Sequence, residues 1–122
     1  MLSASRLILH GLLAGGVVMV VLVRLPVRLD ESNADAISAG LAAAAEGRPH
    51  VLIADMSRTR FCDWAGARAL ATAFSHATTG GTELRLVTAS DAVRRVISLN
   101  GLDRLMRIFE DVTSASVVPA GS

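Results

Sequence analysis

The chain has 122 residues, is 52% apolar but only 3% aromatic, and carries a formal net charge of +1. That composition suits one domain with a real core and argues against electrostatic capture or base stacking of nucleic acid. Its 12 basic residues are all Arg, so any chemistry needing a lysine amine is excluded, and the single cysteine, Cys62, allows no internal disulfide and calls for no oxidising compartment.

The N-terminal stretch Leu7–Val23 is nearly uncharged and follows Arg6, as a signal peptide or membrane span would. It falls short of the ~20 residues a span wants, contains His10 and three glycines, and meets no small-residue cleavage site before Arg24. A hairpin fits better: strand Arg6–Leu13, a turn at Ala14-Gly15-Gly16, and strand Val17–Leu25. Gly-Gly supplies the positive φ of a tight turn, and five valines between positions 17 and 23 favour a strand. Pro26 then interrupts the ladder.

Leu29-Asp30 precedes a helix expected to start near Ser32 or Asn33, with Ile37, Leu41 and Ala44 or Ala45 at helical spacing and Gly47 and Pro49 beyond its end. The run Val51-Leu52-Ile53-Ala54 is too short for a helix and reads as a buried central strand ending at Asp55. After the polar loop Ser57-Arg58-Thr59-Arg60, Phe61-Cys62 returns to the core. Asp63 opens an Ala-rich helix from about Trp64 to Ala77, with Leu70 and Phe74 on its inner face and Arg68, Thr72, Ser75 and His76 towards water. Thr79-Gly80-Gly81-Thr82 is a turn, and Leu84–Val87 a strand with Arg85 as an outward-facing charge. Ser90 caps a third helix with Val93, Val96 and Ile97 inside, Asn100-Gly101 stops it, and Leu105–Phe109 holds a last short strand. The weak pattern from Val112 to Ser122 predicts fraying. Strands alternating with helices imply an α/β fold with a mainly parallel central sheet, to which the hairpin adds antiparallel pairing.

Catalytic readings find little support. Asp55 lacks the acidic pair and lysine of a receiver-type phosphoacceptor. Cys62 reads as a small buried hydrophobe with no base beside it. His10, His50 and His76 lie on three separate elements and form no metal signature. The strand end, loop and helix start from Asp55 to Gly66 form the place where open α/β sheets meet ligands and partners. There, Arg58, Arg60 and Arg68 are either ordinary surface charges or a basic rim. Asp63 is foremost a helix cap, and the lone Trp64 is either a core plug or an exposed anchor.

In this order the motifs resemble the STAS family, the sulfate-transporter and anti-sigma-factor-antagonist domains. The resemblance is carried by Leu29-Asp30, the strand Val51–Ser57, Phe61-Cys62-Asp63-Trp64-Ala65-Gly66, Gly80-Gly81, and Ser90-Asp91-Ala92-Val93-Arg94-Arg95 leading to Asn100-Gly101-Leu102. It implies a single STAS-like domain over 17–111, preceded by a strand and hairpin turn in 1–16 and followed by a weakly ordered tail in 112–122. It implies a non-catalytic, cofactor-free, cytoplasmic module that docks an anti-sigma factor or a serine kinase of the histidine-kinase-like ATPase type. In such modules the kinase phosphorylates the Ser or Thr after the motif Asp, and the added charge blocks docking. Here Trp64 stands at that position and has no hydroxyl. A structural subunit or diverged regulator meeting other STAS proteins, and a small-ligand sensor, are the alternatives; no membrane or nucleic-acid partner is expected. The docking surface is expected on Ser57, Arg58 and Arg60 of the loop, on Asp63, Trp64, Ala65 and Gly66 at the helix start, and on Arg68. Gly66 is read as clearance for a partner's backbone.

Overall fold

The computed structural model describes residues 3–13 and 16–118. The N-terminal apolar stretch is a hairpin: β1 (Ser3–Leu13) pairs antiparallel with β2 (Gly16–Arg24) from Ser3 opposite Arg24 to Leu13 opposite Gly16, with an irregularity between Leu9 and Leu13. Ala14 and Gly15 of the expected turn lie outside the described residues. No helix among the described residues is long and apolar enough to cross a membrane.

Beyond β2 the chain forms β3 (Arg28–Leu29), α1 (Ala34–Ala45), β4 (Val51–Asp55), β5 (Phe61–Cys62), α2 (Trp64–Thr79), β6 (Glu83–Val87), α3 (Asp91–Leu99), a 3-10 turn (Leu102–Arg104), β7 (Arg107–Phe109) and α4 (Val112–Ala115). The main sheet has the order β1-β2-β4-β6-β7, with every pair after the hairpin parallel. This is the mainly parallel α/β sheet that the alternation of strands and helices implies. Strands β3 and β5 make a separate two-stranded parallel sheet, pairing Arg28 with Phe61 and Leu29 with Cys62. Two-residue strands leave no periodicity to read, so sequence alone offers no sign of this pairing.

All five residues of β4 are buried, because the sheet is covered on both faces. On one face Leu52, Ala54, Leu84 and Leu86 meet Ile37 and Leu41 of α1, Leu70 of α2, and Val93 and Ile97 of α3. Phe74 and Val96 pack at the margin of this core. On the other face Val20, Leu22, Val51, Ile53 and Val87 meet Ala115 of α4, with Phe109, Val112 and Val118 beside them.

That second layer overturns two expectations. Fraying from Val112 does not hold over Val112–Ala115, which forms α4: the Asp111 carboxylate caps it by accepting from the Ser114 N–H at 2.7 Å, and Ala115 is buried. Residues 119–122 lie outside the described residues. Nor is Arg85 outward-facing. It is 1% exposed, because α4 and the residues after it lie over its side of the sheet. Its Nη1 donates to the carbonyls of Ala115 and Val117, both at 2.7 Å, and its Nε and Nη2 donate to the Glu83 carboxylate at 2.9 and 3.2 Å. A buried guanidinium is tolerable only with its donors satisfied in this way.

Candidate functional site

The loop after β4 is tied down at several points. Asp55 is buried at the strand end, where one carboxylate oxygen accepts from the Ser57 N–H at 3.0 Å and the other lies 3.8 Å from Arg24 Nε. Arg58 Nε donates to the Leu25 carbonyl at 2.9 Å, and the Thr59 hydroxyl donates to the Pro26 carbonyl at 2.8 Å. Thr59 is thereby buried, whereas Ser57, Arg58 and Arg60 are exposed. The small β3–β5 sheet continues the tether, and Asp63 opens α2. Its Oδ1 accepts from the N–H groups of Ala65 and Gly66 at 3.0 and 3.1 Å, which satisfies two donors that a helix start leaves unpaired.

The start of α1 is built differently from what Ser32 and Asn33 suggest. Asn33 occupies the cap position without a side-chain cap; its amide instead closes the Leu29-Asp30 turn, accepting from the Asp30 N–H and donating to the Arg28 carbonyl. The Asp30 carboxylate accepts from the hydroxyl and N–H of Ser32. The Ser32 hydroxyl contact is the main reason that this carboxyl sits below its ordinary pKa, with Arg28 adding to it.

Gly66 has a different role from the one its sequence suggests. A Cβ there would lie 2.7 Å from Leu29 Cβ, 2.8 Å from the Leu29 carbonyl oxygen and 3.0 Å from Cys62 Sγ. The close approach is made by the chain's own β3, and Gly66 is buried. Ala65 is buried as well, so neither residue presents its side chain to a partner. Burial, reinforced by the Asp63 charge, raises the Cys62 thiol to about 11, which makes it a poor nucleophile at neutral pH.

Trp64 resolves the other way. It is 63% exposed in the first turn of α2, with the Arg68 guanidinium 5.9 Å from its ring centroid. The two line a groove of about 340 Å³ between α1 and α2, whose opposite wall carries Glu31, Ala34, Asp35 and Ser38. The remaining expected contacts lie apart. Ser57, Arg58 and Arg60 line a second depression with Val27 and Ser90. Asp63 faces a third with Asp30, Glu31 and Ser32. The arginines therefore form no single rim, and the Trp64 groove is walled by carboxylates that sequence reading passed over. The spacing of Glu31, Asp35 and Ser38 at i, i+4 and i+7 was the available signal. Of the pair expected to return to the core only Cys62 does so; Phe61 is 40% exposed under the Arg28 guanidinium at 4.2 Å, a second surface aromatic, because neighbouring residues of a strand point to opposite faces.

A family model described as the STAS domain matches residues 14–115. The chain belongs to the STAS domain family. Among solved structures, an anti-sigma factor antagonist from Mycobacterium paratuberculosis is similar at a TM-score of 0.71 and 24% identity, over 93% of this chain and 91% of that one. The unphosphorylated form of SpoIIAA, an anti-sigma factor antagonist of Bacillus, matches at 0.66 and 21%, over 82% of this chain and 91% of that one. The murine anion transporter Slc26a9 matches at 0.70 and 21%, over 94% of this chain but 22% of the transporter. At these identities the likeness is one of fold, shared by free-standing STAS proteins and by a STAS-like part of a transporter. No curated protein matches the chain by sequence.

Proposed function

We propose that this STAS domain is a non-catalytic, cytoplasmic binding module that docks an anti-sigma factor or a serine kinase of the histidine-kinase-like ATPase type, without a phosphoserine switch at the usual position. The observation that carries the reading is Trp64: the only Trp of the chain stands 63% exposed at the start of α2, where the family motif places its acceptor hydroxyl. A large apolar side chain held in water beside Arg68 suits the centre of a protein interface better than a free surface. Ser57, Arg58 and Arg60, in a depression of their own, and Asp63, in another, are the further polar contacts of this reading, while Ala65 and Gly66 shape the helix start from beneath.

Truncating a central Trp commonly costs ~2 kcal/mol or more of binding. Trp64→Ala should therefore weaken the complex about thirtyfold or more while the domain still melts cooperatively. Calorimetric titration against the partner recovered from the host, with a melting curve on the same variant, reads both quantities. Unchanged affinity with a lowered melting point would overturn the assignment. Incubation with such a kinase and ATP should leave position 64 unmodified. Phosphate found by mass spectrometry on the exposed Ser57 would show that the switch has moved, whereas Thr59 is withheld by burial and its bond to Pro26. Recovery of other STAS proteins in place of a kinase would favour a subunit of a larger STAS assembly.

A further inference from the structure

The groove between α1 and α2 carries charges that the fold leaves uncompensated. Four carboxylates surround the starts of the two helices. Two are engaged: Asp30 accepts from Ser32 and lies 3.4 Å from Arg28 Nε, and Asp63 holds the N–H groups of Ala65 and Gly66. Glu31 and Asp35 are not. Both are exposed on one wall of the groove, and neither side chain makes a hydrogen bond or ion pair among the described residues. Arg68, on the facing wall, forms no ion pair with either and lies 5.9 Å from the Trp64 ring centroid. That is near the outer limit of about 6 Å for a cation over a ring, so the indole face is not saturated.

We propose that this groove takes an arginine side chain of the docking partner, its guanidinium seated between the Trp64 ring and the carboxylates of Glu31 and Asp35. The assignment rests on the docking role of Trp64 and names what docks there. An indole face is electron-rich, and two unpaired carboxylates stand across from it. A guanidinium suits both at once, because it is planar, weakly hydrated, stacks on aromatic rings and presents a fork of donors to carboxylates. An ammonium meets the carboxylates as a point charge and does not stack, and an acidic side chain would meet two anions for one Arg68. Trp and Arg are also the side chains most often found at the energetic centre of interfaces. The second depression has the opposite sign: Arg60 and the Nη groups of Arg58 have no acceptor among the described residues there. A partner that is basic at the groove and acidic at that depression can dock in one orientation only.

The test is calorimetric titration of the whole chain with octa-arginine, octa-lysine and octa-glutamate peptides. Octa-arginine should bind the native chain, more weakly as salt is added, and about threefold or more tighter than octa-lysine. The double substitution Glu31→Gln with Asp35→Asn should weaken it about tenfold or more. Glu46→Gln with Glu110→Gln removes the same charge from exposed positions outside the groove and should weaken it little. Trp64→Ala should weaken it as well. Melting curves separate lost binding from lost fold, and Glu31→Gln alone, which lies outside α1, serves if Asp35→Asn unsettles the helix start. Absence of octa-arginine binding overturns the proposal, as does equal weakening by the two double substitutions. Octa-lysine binding as tightly as octa-arginine overturns the choice of arginine, and tighter binding of octa-glutamate assigns the groove to an acidic side chain at Arg68. If any of these occurs while Trp64→Ala still weakens the complex with the host partner, the docking role stands without its arginine. If Trp64→Ala leaves that complex unchanged, the docking role falls and the arginine site with it.

Discussion

Gly66 and Trp64, two positions apart, divide the work of the helix start. Gly66 lets α2 sit on β3, and a methyl group there would run into the Leu29 backbone as well as its side chain. Backbone cannot swing aside as a flexible side chain does, so Gly66→Ala is an overpacking substitution in a closed site. We expect it to cost about 1–3 kcal/mol, read as a lower midpoint in urea with little change of slope. If β3 does shift to admit the methyl, the β3–β5 pair and the Arg58–Leu25 tether shift with it, and binding through Trp64 should weaken too. Trp64 lies on the opposite side of the same turn and contributes little to packing, so its truncation should show the reverse pattern. Asp63, between them, keeps its carboxylate on the Ala65 and Gly66 N–H groups and is occupied by the fold before any partner arrives.

Among the elements, β6 and α4 are joined by charge as much as by apolar contact. Arg85 reaches from the strand to two carbonyls of the C-terminal segment, and Glu83 steadies its other face. The hydrogen bond from Arg85 is the first reason that the Glu83 carboxyl sits below its ordinary value of 4.5, with the Arg85 and Arg107 charges adding to it. A carboxyl depressed in the folded state stabilises the fold above its unfolded pKa, and that contribution is lost as pH falls through the folded value. Stability should therefore hold above about pH 4.5 and decline below it. Asp30 and Asp111 are shifted in the same direction and add to the decline. Glu83→Gln should flatten the acid limb of a melting-temperature profile without removing it. An unchanged limb would mean that the Glu83–Arg85 pair is equally formed in the unfolded chain.

For the molecule as a whole, the sequence was most informative where a pattern repeats. The valine run of β2, the apolar run of β4, and the Ile37/Leu41 and Leu70 stripes each declare their element. Legibility fails where a residue's setting is decided by a segment distant in the chain. Arg85 looks like a surface charge because α4, which buries it, lies 30 residues away at Ala115 and is only four residues long. Gly66 looks like open clearance because Leu29, which fills that space, belongs to a two-residue strand. The candidate site was legible as a location, from the strand end and the helix cap. Its division into separate depressions was not, because one wall comes from Glu31 in the turn before α1 and from Asp35 in the first turn of α1.

The placement of Trp64 also decides how the protein behaves under ultraviolet excitation. With one Trp and no Tyr, nearly all of its intrinsic fluorescence comes from a ring that is 63% exposed in the folded state. Unfolding moves that indole from one aqueous setting to another, so a denaturation curve followed by emission wavelength should be almost flat, while far-ultraviolet circular dichroism reports the transition. A partner seated on the groove would exclude water from the indole and shift its emission to the blue. The chain thus carries a built-in reporter that is nearly blind to its own folding and responsive to whatever covers the start of α2.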